Sequence, residues 1–423
     1  MKVLIQAYAC SPDWGSEAGV GWNYINEIAA EYEVHAIVSK ELNKNSIKRF
    51  LETNTLKKNI HFHYLPHSEH ERALMQHQIT YYLGYRMWQK RALSLASELH
   101  IMYHFDLTHI LTFIGYRAPG YLYKLPLPCI WGPIGGAQNF PWKCMGNLSL
   151  GGLIKESSRN IANFIQRSFS IHYHHAKRGC SEIIYATKQT KHFLRSKNNQ
   201  VISEVGCRKE DIVLSPKKYS ADGPLKILWS GNHFDFKRLD LLIYALRDVY
   251  FDFRLTVLGD GHLTARWKNL ARECGIMGKT EFKGRIPHHK AMDLYHKADI
   301  FVFTSLRETS GSVLLESLSK GLPVVAMALN GALDIVGKKE SCGYLVPVGN
   351  FTQMVNSLRQ KLQHISQNKH ELTQKSKGAI MRAHNHTWKK NAEKIIAVYN
   401  QVLLSSKVRL QEEKKDKLNV PSN

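Results

Sequence analysis

A chain of 423 residues is long enough for two or three domains, each with its own core. Its 43% apolar content and ordinary glycine usage exclude a disordered or fibrous protein. Lysine and arginine outnumber aspartate and glutamate 58 to 35, a formal charge of +23, which favours phosphates, nucleic acid or an anionic membrane surface without choosing among them.

Seven cysteines from Cys10 to Cys342 make no C-x-x-C pair, which points to reduced thiols in a cytoplasm and against a disulfide framework or zinc knuckle. The opening MKVLIQAYACSP reads as a strand over 3–8, not as the apolar core of a signal peptide. No apolar run approaches the ~18 residues that would span a bilayer.

The run Gly15-Ser16-Glu17-Ala18-Gly19-Val20-Gly21-Trp22 follows, before an amphipathic helix. It has the look of a dinucleotide fingerprint, but the second strand (34–39) ends in Ser39-Lys40. The acid that would hold a ribose about 20 residues on is missing, so NAD binding is rejected. Further strands are expected over 60–65, 107–113, 129–131 and 183–186, with a long helix over 71–99. Tyr116 and Arg117 follow the apolar LTFIG, and Trp131-Gly132-Pro133-Ile134-Gly135-Gly136 is a second glycine loop at a strand end.

Over 153–178, Ile154, Ile161, Ile165 and Phe169 recur at helical spacing among Lys155, Arg159, Arg167, Lys177 and Arg178. A membrane-surface helix has this pattern, and so does a core helix with a basic outer face, the preferred reading. His61, His63, His67 and His70, with His172, His174 and His175, are the densest of the 22 histidines. Residues 61 and 63 share a strand face, but no matched carboxylate or cysteine is evident. These histidines therefore read as solvated or hydrogen-bonded, and no metal is expected.

The stretch 215–224 is polar, bracketed by prolines, and reads as a linker. Beyond it, strands over 225–229, 254–258, 280–283, 300–303 and 324–328 alternate with helices. An α/β protein with parallel sheets covered on both faces follows. Gly231-Asn232 ends the first of these strands, and Lys237 and Arg238 precede the next helix. Gly259-Asp260-Gly261 and Lys283-Gly284-Arg285-Ile286-Pro287 are turns at strand ends. Trp388 to Leu404 is an amphipathic helix, and the charged tail KVRLQEEKKDKLNVPSN is expected to be mobile.

The most informative stretch is DIFVFTSLRETSGSVLLESLSKGLPVVA. A strand runs into a polar turn holding Glu308 and Gly311, then into a helix carrying Glu316, which stops at Lys320-Gly321-Leu322-Pro323 before another strand. Such a unit puts ligands at the strands' carboxyl ends and leaves unpaired N–H groups at the helix start, an anion site. Without its flanks, the glutamate pair would be no more than two charges on a surface helix.

The Glu-x7-Glu spacing, the leucines before Glu316 and the closing Gly-x-Pro-Val-Val resemble the donor-binding signature of retaining GT-B glycosyltransferases of family four. The resemblance implies two Rossmann-like, doubly wound domains with the active site between them. It divides the chain into an acceptor-side domain (1–215), a nucleotide-sugar domain (216–386), a helix returning to the first domain (387–405) and the tail (406–423). It makes Glu308 and Lys237 the catalytic pair, with Glu308 on the transferred sugar and Lys237 on the diphosphate. Glu316 would hold the ribose, and Thr309, Ser310, Gly311 and Ser312 would face sugar and diphosphate. Arg238, Gly231, Asn232, Arg285, Ile286 and Gly19 complete the donor side, and Tyr116, Arg117, Gly135 and Gly136 line the acceptor side.

The family's usual Gly-Arg stands here as Gly231-Asn232, and its Gly-Phe-Gly-like turn as Thr309-Ser310-Gly311. The loop at 131–136 lacks the histidine that many relatives place on the donor sugar.

The implied reaction moves a sugar from a nucleotide-diphosphate donor to a saccharide or lipid-linked acceptor with retention, in surface polysaccharide biosynthesis. The nucleotide sugar is a co-substrate, and no cofactor is needed. No Asp-x-Asp triplet is present to hold a metal on the diphosphate. The diphosphate would take the acceptor's proton on the face it leaves; a double displacement through Glu308 stays open. The expected location is the cytoplasm, with peripheral attachment to the inner face of the membrane as one option. The alternatives are a nucleotide-sugar 2-epimerase or another GT-B enzyme, and a basic nucleic-acid binder for which no recognition motif is found.

Overall fold

The computed structural model describes residues 1–13, 16–77, 79–113, 115–195, 200–220 and 222–418. Gly15, at the head of the first glycine run, lies outside them. Two six-stranded sheets, every pairing parallel, are built from consecutive halves of the chain. In the first, β1 (Lys2–Ala7), β2 (Glu33–Ser39), β3 (Ile60–Leu65), β4 (Leu107–Thr112), β5 (Cys129–Ile134) and β6 (Glu182–Tyr185) lie in the order β3-β2-β1-β4-β5-β6. In the second, β7 (Leu225–Ser230), β8 (Phe253–Leu258), β9 (Thr280–Gly284), β10 (Ile300–Phe303), β11 (Val324–Met327) and β12 (Gly343–Val346) lie in the order β12-β11-β10-β7-β8-β9.

Burial on both faces explains why inner strands such as β10 and β11 read as unbroken apolar runs. Side chains alternate between two cores: Val3 and Ile5 enter one cluster while Leu4 enters another. In the second sheet Ile300 and Val302 face one side, and Phe301 and Phe303 the other. The last helix brings Ile395, Tyr399 and Val402 into the cluster formed by Val3, Ile5 and the Ser16–Ile28 helix. His109, buried in β4, bridges it: Nδ1 lies 2.5 Å from the Tyr399 hydroxyl and Nε2 2.6 Å from the Gly132 carbonyl.

Three differences from the sequence expectation have physical causes. The helix expected over 71–99 is two helices, Glu69–Met75 and Tyr81–Tyr103, folded back at close range. A Cβ on Gly84 would come within 2.9 Å of the Glu71 carbonyl oxygen. Strand β12 was not expected; only four residues long, it is held by its pairing with β11 rather than by its own pattern. The final helix, Trp388–Leu418, continues well past 405, through much of the expected tail. Among the described residues, no helix is long and apolar enough to cross a membrane.

The helix over Leu150–Phe169 inverts the preferred reading. Its buried residues are Gly152, Glu156, Asn160 and Asn163, while Ile154, Ile161, Phe164, Ile165 and Phe169 are exposed. Its polar side is its docking side: Asn160 Nδ2 donates to the Phe140 carbonyl at 2.7 Å, and Glu156 takes two hydrogen bonds from Arg307 at 2.6 and 3.0 Å.

Candidate active site

The second sheet winds outward in both directions from the β7–β10 pair, so the loops after these strands diverge and leave a crevice at their carboxyl ends. Lys237 comes from the loop after β7 and Glu308 from the loop after β10. The ammonium donates to Glu308 Oε2, and Ser305 Oγ reaches the same oxygen at 3.3 Å. Both side chains are recessed, 13% and 28% exposed, and the rings of Phe236 and Phe303 stand 5.5 and 5.8 Å from the ammonium. A fixed cation beside a fixed carboxylate in a partly dry crevice can stabilise charge developing on a leaving group without reorganising.

Glycine makes the approach possible. Gly259 has φ +104°, and a Cβ there would sit 2.0 Å from the Gly231 carbonyl oxygen, so the loops after β7 and β8 can touch only because it has none. Gly231 itself lies against Lys237, and Asn232 is exposed at the rim. The helix Ser312–Ser319 starts from Gly311 at φ +80°, with Ser312 exposed at its open end. Further along it, Glu316 stands beside Tyr295 and His288. Burial raises its pKa, and these two neighbours oppose the rise. Arg285 is exposed and Ile286 half-buried in the turn after β9, just ahead of His288.

Two donor-side expectations change. Ser310 turns across the crevice: its N–H and hydroxyl donate to the buried Glu204 carboxylate at 3.1 and 2.5 Å, so its amide is already committed. Thr309 Oγ1 accepts from the Gly136 amide at 3.3 Å and donates to Gln138 at 3.2 Å. Arg238 is not on the crevice. Left-handed at φ 52° and 1% exposed, it grips Asp240 at 2.9–3.2 Å and the Cys144 carbonyl at 2.8 Å, which makes it a brace between the halves.

Of the residues expected to line the acceptor side, Gly135 and Gly136 face the second half: a Cβ on Gly135 would meet the Thr309 methyl at 2.6 Å. Arg117 lies at the same lip, donating to the Gly136 carbonyl at 3.2 Å and to Asn163. Tyr116 is instead fully buried, its hydroxyl on the Asn163 carbonyl at 3.2 Å, and lines no cleft. A third donor-side expectation changes as well: Gly19 is buried inside the Ser16–Ile28 helix, not in a loop.

Sequence reasoning missed Glu204, Gln138, Glu156 and Arg307. Glu204 and Gln138 carry no local signal, since their partners lie more than 100 residues away. Glu156, Asn160 and Asn163, at helical spacing, were a readable polar stripe. Glu204 is pushed up to about 7, chiefly by burial; the Ser310 hydrogen bonds oppose this and the Glu308 charge adds to it.

Because the folded value lies above the ~4.3 of a free glutamate, the fold holds a proton that the unfolded chain releases. The contribution of this group to stability is therefore expected to fall as pH rises from about 4.3 to about 7 and to level off beyond, by on the order of 3 kcal/mol. Denaturant titrations of wild type and Glu204→Gln across that range check it. Wild type should lose stability relative to the variant across that range, and equal slopes in the two proteins would refute the assignment.

The histidine cluster acquires the carboxylate that was not evident. Glu33, His35 and His61 bring ligand atoms within 4.8 Å of one another. His35 Nε2 lies 3.1 Å from Glu33 Oε1, and His35 Nδ1 lies 3.0 Å from His63. The group sits at the amino ends of β2 and β3, the edge opposite the crevice. Glu33 also pairs with Lys2 at 3.7 Å. Separately, a hollow of about 480 Å³ lies between Asn147 and the 264–273 helix; Lys237, Glu308 and Glu316 are not among its walls.

Comparison with known proteins identifies this arrangement. Residues 213–379 match the family model described as glycosyl transferases group 1. An uncharacterized glycosyltransferase of Haemophilus influenzae is 29% identical over 187 residues, 42% of this chain and 51% of that protein, so the chain spans about half of that relative's length. The structure of WaaG, a glycosyltransferase involved in lipopolysaccharide biosynthesis, superposes with TM-score 0.58 at 16% identity, covering 94% of this chain and 99% of that one. Anabaena HepE in complex with UDP-glucose superposes with TM-score 0.60 at 13% identity, covering 95% and 100%. With β7 to β12, Lys237, Glu308 and Glu316 all inside the matched residues, the second half of the chain is similar to the glycosyl transferases group 1 family, and the chain has the two-domain GT-B fold.

Proposed function

We propose that the protein is a retaining glycosyltransferase that moves a sugar from a nucleotide-diphosphate donor to a saccharide or lipid-linked acceptor in surface polysaccharide biosynthesis. Its place would be the cytoplasm, at the inner face of the membrane. One observation carries the reading: the Lys237–Glu308 pair stands at the switch point of the second sheet, and Glu316 follows on the helix leaving the same loop.

In this reading Glu316 takes the ribose hydroxyls, with Arg285 and Ile286 beside the base. The open end of the Ser312–Ser319 helix and Lys237 take the diphosphate. As the sugar–phosphate bond breaks, negative charge grows on the leaving oxygens, and Lys237 stabilises it. Glu308 orients the sugar, and the departing diphosphate accepts the proton of the incoming hydroxyl on the face it vacates. The solved complex of the Anabaena relative with UDP-glucose supports a uridine donor as the first to try.

A panel of nucleotide-diphosphate sugars, scored by thermal stabilisation, tests the reading, because a ligand of the folded state raises its stability in step with affinity. At least one donor should stabilise the wild type, and Glu316→Gln should lose most of that shift. No response to any donor, or an unchanged shift in the variant, refutes it. Conversion of donor alone to its 2-epimer would favour the epimerase instead.

A further inference from the structure

The face that the Leu150–Phe169 helix turns to solvent is one the fold does not explain. Ile154, Ile161, Phe164, Ile165 and Phe169, continued by Ile171 at the start of the Ile171–Gly179 helix, are each half or more exposed. Monomeric proteins rarely leave a contiguous apolar patch of this kind without a partner. The cause is visible: the polar side is occupied by hydrogen bonds that Arg307 donates to Glu156 and Arg117 to Asn163, so among the described residues the apolar side is left facing outward.

Charge identifies the occupant. Between residues 150 and 179 the only acid is Glu156, buried and paired, while Lys155, Arg159, Arg167, Lys177 and Arg178 are basic. Lys155 and Arg178 are exposed, and Arg167 and Lys177 half-exposed. An apolar stripe flanked by cations with no free acid matches a helix lying in a bilayer interface, its ring and branched side chains among acyl chains and its cations at anionic headgroups. A second copy of the chain fits worse, because a two-fold contact would set these cations against themselves.

We infer that this outward face docks the protein on anionic membrane lipid. The inference deepens the peripheral placement proposed above and rests on that reading for its purpose. The polar side of the same helix holds Arg307, next to Glu308, and Arg117, at the acceptor lip. The crevice mouth therefore lies about one helix diameter, ~10 Å, from the docking plane, within reach of a sugar acceptor carried on a lipid.

Flotation of the full chain with phosphatidylcholine vesicles, with or without phosphatidylglycerol, tests it. Wild type should float with the anionic vesicles, and the combined Ile161→Gln, Phe164→Gln, Ile165→Gln variant should bind at least ~10-fold less at an unchanged thermal midpoint. Lys155→Gln with Arg178→Gln should reduce the preference for anionic lipid; this second variant keeps the test open if the first is misfolded. Failure of wild type to float with either vesicle, or equal flotation of both variants and wild type, overturns the inference. A concentration-dependent dimer that the first variant abolishes, without vesicle binding, would make the face a contact between copies and equally overturn it. Donor-induced thermal stabilisation is read on the same samples. If donor binding persists without flotation, only the docking face fails; flotation without any donor response strikes the transferase reading instead.

Discussion

Lys237→Ala is expected to lower turnover by about 10²–10³-fold, roughly 2.7–4 kcal/mol of transition-state stabilisation, the usual cost of removing one preorganised donor aimed at developing charge. The Lys237 ammonium already donates to Glu308 across the crevice, so the site holds its cation in place before substrate arrives. In the proposed reading, removing it takes away the charge that would face the leaving diphosphate, and among the described residues it leaves the Ser305 hydroxyl alone on that Glu308 oxygen. The loss should therefore fall mainly on kcat, with a smaller change in KM. Steady-state kinetics with the donor found in the stabilisation panel decide it. A change confined to KM, or a loss of only a few-fold, would move Lys237 out of the catalytic machinery.

Glu156→Ala is expected to cost about 3–5 kcal/mol, because it leaves a largely desolvated guanidinium without its partner. The Glu156 side chain is 1% exposed and Arg307 14% exposed, joined by two hydrogen bonds. Arg307 also lies over the Phe236 ring at 4.1 Å. The neighbourhood magnifies the effect. Arg159 is pushed down to about 10, first by burial and then by the charges of Arg307 and Arg117, with Glu156 opposing. Without Glu156 three guanidiniums would share the wall with no acid between them. The paired replacement Glu156→Met with Arg307→Met should recover most of the loss, since an apolar pair of similar volume needs no desolvated charge. Thermal midpoints of the single and paired variants check this; a single variant as stable as wild type would show that water reaches the pair.

Both predictions depend on contacts between distant parts of the chain, and this divides what could be read from residues alone. The inner strands of the second half were legible because they are apolar runs buried on both faces, and Ile300–Phe303 falls where it was expected. The strand–turn–helix around Glu308 and Glu316 was legible for a local reason: Gly311 and the Gly321–Pro323 stop set its bounds over a few residues. Lys237 could be placed at the crevice because it belongs to the short loop that leaves the end of β7.

The remainder follows from long-range packing. Arg238 stands next to Lys237 and was expected to share its role, but a left-handed backbone turns it toward Asp240 and Cys144. Tyr116 follows a strand end like a lining residue, yet its ring is taken into the core under Asn163. Glu204 reaches Ser310 across the divide between the sheets, a pairing with no local trace in either segment.

The amino-acid order by itself determined the α/β alternation, the two halves and the strand–turn–helix that carries Glu308 and Glu316, because periodicity and glycine turns act over short stretches of chain. Which side of the 150–169 helix faces inward, and which polar groups close the crevice, only the tertiary structure decided. Amphipathic spacing defines two faces but not their neighbours, and here hydrogen bonds to Arg307, Phe140 and Arg117 outweighed the usual preference for burying isoleucine and phenylalanine.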